Sequence, residues 1–90
     1  MAVYVDNQRL PFRGMLMSHM VADTEAELHA MAGHLGLRRS WFQNKPRGTP
    51  HYDVSVNMRE RALQAGAIPV DREGLVGVIR RLREQRRSVT

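Results

Sequence analysis

His51 and Asp53 stand two residues apart, with Arg59 and Arg61 shortly after them. Alternate side chains of an extended segment share a face, so His51 and Asp53 can point one way and Tyr52 the other. An imidazole beside a carboxylate can move a proton or hold a cation, and guanidinium groups receive phosphate or carboxylate. If Ser55 starts a helix, its free N–H groups and positive dipole end lie beside Asp53 and favour the ionised carboxylate. The same helix end could receive an anion, with Arg59 one turn in. The plainer alternative is that Asp53 only caps that helix while His51 fills a loop.

His19 belongs to Met15–Ala22 (MLMSHMVA), a nearly continuous apolar run of strand length. Such a run is expected of a strand covered on both faces. Met17, His19 and Val21 share one face of it, and Leu16, Ser18 and Met20 the other. An imidazole there loses hydration unless its nitrogens find partners, so a satisfied core histidine is the bland reading. Strands of α/β folds aim their C-terminal ends at the ligand crevice, however, and both Asp6 and His19 lie toward such ends. The candidate catalytic set is therefore His51 as acid/base, Asp53 as its orienter, Arg59 as charge stabiliser and His19 as companion. Asp6 and Ser55 are candidate ligand contacts.

A metal reading would join His19 and His51 to one or two of Asp6, Asp23 and Asp53, a mixture suited to zinc, manganese or non-haem iron. These spacings match no recognised metal motif, so no metal ligands are assigned and a divalent ion is only the minor expectation for a cofactor. Asp23 is better explained as the residue ahead of a helix cap. With no cysteine there is neither disulfide nor thiolate. No GxSxG elbow and no glycine-rich phosphate loop is present.

The elements that must position these residues can be read in order. Val3-Tyr4-Val5 is β-prone and ends in a turn signal at Asp6-Asn7. A connection through Pro11 and Gly14 leads to the Met15–Ala22 strand. Thr24 to Glu27 form a capping box, Leu28, Met31, Ala32 and Leu35 make a buried helical stripe, and Gly36 ends it. His29 and His34 fall on opposite flanks of that stripe. Trp41-Phe42-Gln43 is a short strand candidate, and residues 44–50 are a loop. A helix is expected from Ser55 to Ala65, capped by Ser55 or Asp53. Ile68-Pro69-Val70 reads as an edge strand, since Pro69 cannot donate to a ladder. Asp71 caps a last helix with Leu75, Val78, Ile79 and Leu82 buried. The order predicts a small α/β fold: a single-layer sheet of three to four short strands, at least partly parallel, packed by two to three helices. Residues 1–79 form the domain and residues 80–90 a basic helix end or tail.

The chain has 90 residues, 14 Lys+Arg against 9 Asp+Glu, and Lys45 as its single lysine. Arginine suits anionic partners, although a GC-rich coding sequence gives the same bias. Arg38 and Arg39 flank Trp41 and Phe42, with Lys45 and Arg47 beyond, an interleaving that suits single-stranded nucleic acid. Against this, Trp41 and Phe42 could simply anchor a small core. Arg80, Arg81 and the cations through Arg87 would add phosphate affinity, or form a solvated helix face. No signal peptide and no run near the roughly 18 apolar residues of a membrane span is present. A cytoplasmic protein with no membrane partner is expected.

SHMVAD (18–23), EAELHAMA (25–32), GLRRSWFQ (36–43), HYDVS (51–55) and AGA (65–67) together carry a resemblance. From about Val3 to Val70 the chain resembles the small bacterial and phage proteins catalogued as domain of unknown function 4031. That resemblance implies no activity. It does imply recurring polar positions at Asp6, His19, His29, Trp41, Gln43, His51, Tyr52, Asp53 and Arg59, which adds Trp41, Gln43 and Tyr52 to the candidate ligand contacts. Ser55 stands where members carry Thr. Asn57-Met58-Arg59 departs from their usual Lys-Arg pair, which leaves the match of the second cation open. The expected ligand bears phosphate, as a nucleotide or nucleic acid. The alternative is a non-enzymatic module for nucleic acid or a protein partner, and a homodimer through the short edge strand is a third possibility.

Overall fold

The computed structural model describes residues 2–89, with side chains described as far as residue 85. Five strands and three helices form a mixed α/β fold. The strands are β1 (Val3–Val5), β2 (Leu10–Phe12), β3 (Met15–Ala22), β4 (Tyr52–Ser55) and β5 (Ile68–Pro69). The helices are α1 (Glu25–Leu35), α2 (Val56–Gln64) and α3 (Arg72–Val89).

The sheet thus has five strands where three to four were expected. The segment through Pro11 is a strand, paired with β3 across a tight turn in which Arg13 and Gly14 both take positive φ (51° and 78°). Two left-handed residues in succession match the right-handed twist of the flanking strands, as in type I′ hairpins. The HYDVS segment contains β4. Trp41-Phe42-Gln43 is not a strand: Arg39–Trp41 forms a 3-10 turn, and Gln43 makes a single bridge to His51. The expectation for Ile68-Pro69-Val70 holds, with β5 lying parallel to β1 at the sheet edge.

The longest strand, β3, organises the site. Met20 pairs with Val5 on one side and Tyr52 on the other, while Met17 pairs with Leu10 and Ser55. Hence β1 and β2 run in line along one edge of β3, and β4 along the opposite edge. The C-terminal part of β3 is buried, but Met15 and Leu16 are exposed, as are Leu10 and Phe12 across the hairpin. Coverage on both faces is therefore confined to the end near Met20–Ala22.

One sheet face carries Val3, Val5, Met20, Ala22, Tyr52 and Val54 against Leu28, Ala32 and Leu35 of α1 and Ala62 of α2. The other packs Tyr4 and Val21 against Leu75, Val78, Ile79 and Leu82 of α3. The caps follow the sequence: Thr24 accepts from the Glu27 N–H, Ser55 from Met58 and Asp71 from Gly74. Gly36 closes α1 in the left-handed conformation, φ 79°.

Asp23 does more than precede a cap. It accepts hydrogen bonds from the Ala2 N–H (2.8 Å), Tyr4 Oη (3.1 Å) and Arg81 (2.7 Å), tying α3 to the sheet. Burial raises its carboxyl, but the bonds from Tyr4, Ala2 and Arg81, with the Arg81 charge, outweigh this and hold it below its ordinary 3.8. A depressed folded value means that this stabilisation is present above pH 3.8 and is lost as pH falls through the lower folded value. Asp23→Asn is expected to cost about 1–3 kcal/mol at neutral pH. Urea midpoints should show it, together with a weaker dependence on pH below about 4.

Candidate functional site

The candidate side chains gather where the β1–β3 ladder is interrupted. Continuing the β1 register would pair Asp6 with His19, and the Asp6 N–H does reach the His19 carbonyl (3.1 Å). The return bond is different. The His19 N–H donates not to the Asp6 carbonyl but to its side-chain Oδ1 (2.9 Å), and the turned-away carbonyl accepts from Arg59 Nε (2.7 Å). The second oxygen, Oδ2, lies 2.8 Å from His19 Nδ1. Asp6 is wholly buried, and this double engagement supplies the compensation that a buried carboxylate requires.

His19 uses both backbone groups on the Asp6 side. Its pairing with Asp53 on β4 is therefore of the non-hydrogen-bonded kind, in which facing side chains stand closest. His51 and Asp53 share a face of β4, and Tyr52 and Val54 point into the core, as the alternation predicts. The Gln43–His51 bridge sets Gln43 alongside, where its Nε2 donates to Asp53 Oδ2 (2.8 Å). His51 Nδ1 lies 2.8 Å from the Thr49 carbonyl, and its Nε2 is 3.5 Å from Asp53 Oδ1. The two imidazole rings meet edge-on with centroids 5.5 Å apart.

The tautomers follow from the partners. Carbonyl and carboxylate oxygens accept, so Nδ1 is the donor in both rings. Nε2 is then the second nitrogen of each ring. One donor atom from each of His19, His51 and Asp53 lies within 4.8 Å of the others. Side-chain exposures of 28%, 25% and 39% leave the group open to a ligand on one side.

His19, His51 and Asp53 are thus brought together, with Asp6 and Gln43 directly behind them. Arg59, expected as a charge stabiliser, donates from Nε to the Asp6 carbonyl. Tyr52 is on the opposite face: it is buried, and its hydroxyl lies 2.8 Å from His29 Nδ1. Burial raises its phenol above the ordinary value, only partly offset by the Arg39 charge. Ser55 caps α2, and Asp23 is committed to Tyr4 and Arg81. The cluster lies along the sheet face rather than in a crevice beyond the strand ends.

Phe42 packs on the core, but Trp41 is 52% exposed with the Arg38 guanidinium 5.7 Å from its ring centroid. Lys45, Arg47 and Arg80 are exposed, whereas Arg81 is engaged with Asp23 and Tyr4. Arg86 and Arg87 lie outside the described side chains. Two site features escaped the sequence reading. The Thr49 carbonyl that fixes the His51 ring had a local signal in the extended residue ahead of Pro50. The Gln43–Asp53 contact spans a loop and had none.

Among the described residues, no helix is long and apolar enough to cross a membrane. No curated protein and no solved structure matches the chain. Residues 3–82 match the family described as protein of unknown function (DUF4031), a match that runs beyond Val70 into α3. Asp6, His19, Gln43, His51 and Asp53 all lie within that span, and the chain belongs to this family.

Proposed function

We propose that the chain binds a phosphate-bearing ligand, a nucleotide or a nucleic-acid end, at the His19–His51–Asp53 cluster in the cytoplasm. The observation that carries this is the convergence of two orientation-locked imidazoles and a carboxylate on a half-open sheet face. The row His51, Asp53, Ser55 along β4 ends at the N-terminus of α2, whose positive end favours an anion. A site of this composition suits phosphoryl or glycosyl transfer or hydrolysis, with His51 Nε2 taking up the proton. The half-exposed Trp41 beside Arg38 favours a second reading, a nucleic-acid surface that works by stacking and charge. The exposed apolar hairpin of Leu10, Phe12, Met15 and Leu16 supports a separate protein contact, including one with a second copy.

One binding series separates these readings. Adenosine 5′-monophosphate and a 5′-phosphorylated oligonucleotide are titrated against their unphosphorylated counterparts, with and without added Zn²⁺. Tighter binding of the phosphorylated forms, weakened at least about tenfold in a folded His51→Ala protein (1.4 kcal/mol per decade), supports the site reading. Indifference to the phosphate, or undiminished binding by His51→Ala, overturns it. Loss with Trp41→Ala and a steep salt dependence instead identify the second surface.

A further inference from the structure

We propose that His19, His51 and Asp53 hold one divalent transition-metal ion of the zinc type. This goes beyond the phosphate reading and does not rest on it.

The argument is one of donors and acceptors. Asp6 fixes the proton of His19 on Nδ1, and the Thr49 carbonyl does the same for His51. With Nδ1 engaged, each ring has Nε2 left as a ligand atom, and Asp53 has its carboxylate oxygens. One ligand atom from each of the three residues lies within 4.8 Å of the others, and among the described residues the Asp53 carboxylate accepts from Gln43 on its other oxygen. Like-natured lone pairs repel unless an electrophile lies between them. A shared proton is one solution, but a charge-assisted N–H···O bond is typically about 2.7–2.9 Å long. His51 Nε2 and Asp53 Oδ1 are 3.5 Å apart. Two ligands bound at about 2.0–2.1 Å to one tetrahedral ion stand about 3.4 Å apart, so the observed gap suits a metal better than a proton.

The surroundings fit the same reading. Metal-binding histidines commonly donate their other ring N–H to a carboxylate or a backbone carbonyl, which fixes the tautomer and strengthens the ligand. His19 has the first kind of partner, His51 the second, and Gln43 steadies the carboxylate. Two imidazoles and one carboxylate favour zinc-type ions over magnesium or calcium, which prefer all-oxygen sites. Three protein ligands leave a fourth position for water or a ligand oxygen. The ion would also explain how a phosphate settles beside the negative charge of Asp53. With it in place, His19, His51 and Asp53 would hold the ion, which would supply Lewis-acid polarisation of a bound oxygen, and His51 Nε2 would no longer be the proton acceptor. No sequence motif announces the set, because His19 meets Asp53 through strand register rather than spacing.

The test uses the whole chain, stripped with a chelator and reloaded with Zn²⁺ or Co²⁺ alone, without any phosphate compound. Elemental analysis after dialysis should give one ion per chain, and Co²⁺ should show the visible absorption of a low-coordinate site. His51→Ala should lose more affinity than the about 10–100-fold expected when an outer partner is removed. His34→Ala, on the exposed flank of α1, should bind as wild type does. If His51→Ala does not fold, ¹⁵N spectra of the wild-type chain decide: Zn²⁺ should shift Nε2 of His19 and His51 but not the nitrogens of His34. No stoichiometric uptake by wild type, equal affinity in folded His51→Ala, or unshifted His19 and His51 overturns the proposal. Metal uptake without phosphate binding would leave this site standing and remove the phosphate reading. Phosphate binding by a chain that takes up no metal would do the reverse.

Discussion

The Asp6→Asn protein is expected to fold, to carry its His19 ring in the opposite tautomer, and to lose about 10–100-fold in divalent-ion affinity. The reason lies in two hydrogen bonds that the buried carboxylate accepts, from the His19 N–H at 2.9 Å and from the ring Nδ1 at 2.8 Å. An asparagine of the same shape has one acceptor and one donor end. Its oxygen must stay on the backbone N–H, which cannot become an acceptor, so the NH₂ group is turned toward the ring. Nδ1 then has to accept, and the proton moves to Nε2, which removes the lone pair from the cluster. Imidazole ¹⁵N shifts report the tautomer directly, and a Zn²⁺ titration reports the loss. A ring that keeps its proton on Nδ1 would contradict the assignment. Stability should fall by about 1–3 kcal/mol, since a charge-assisted bond becomes a neutral one. Because Arg59 grips the backbone carbonyl of Asp6 and not its side chain, the interrupted ladder itself should survive.

The Tyr52→Ala protein is expected to lose about 3–5 kcal/mol, a large part of the stability of a domain of this size. Tyr52 is 1% exposed and is among the largest fully buried side chains. It packs with Phe42, ring centroids 5.5 Å apart, and meets His29 of α1 through its hydroxyl. Removing the ring opens a cavity between β4 and the helix layer that few neighbours can fill. Tyr52→Phe keeps the volume and loses one hydrogen bond, for a cost of about 0.5–1.5 kcal/mol. Equilibrium urea unfolding distinguishes the two, and similar midpoints for the two variants would show that Tyr52 is not a packing residue. The same experiment reaches the site, since Tyr52 lies between His51 and Asp53 in the chain. Loss of its anchor should disorder the opposite face of β4.

How much of this was legible beforehand can be judged residue by residue. Local physics is written locally, so the Thr24, Ser55 and Asp71 caps, the Gly36 stop and the α1 stripe follow from the sequence, and the structure bears them out. The alternation that sends His51 and Asp53 one way and Tyr52 the other is equally local. The short strands were harder. Leu10–Phe12 is punctuated by Pro11, and Tyr52–Ser55 is too short for a period to stand out. Trp41-Phe42-Gln43 has strand-like composition but turns, because only Gln43 finds a partner strand. Propensity yields to pairing in such cases.

The sequence by itself determined that this is a small α/β domain, where its helices start and stop, and that a histidine and an aspartate share a face ahead of an arginine-bearing helix. Only the tertiary structure decided what that pair faces. Strand register sets His19 beside Asp53 across 34 residues of chain, and an interrupted rung turns the Asp6 carboxylate onto His19 while Arg59 holds the carbonyl left over. Pairing across a sheet depends on which edges meet and in what offset, and one residue of slip would send every side chain to the other face. No spacing within the chain encodes that offset, so the cluster becomes visible only when the sheet is assembled.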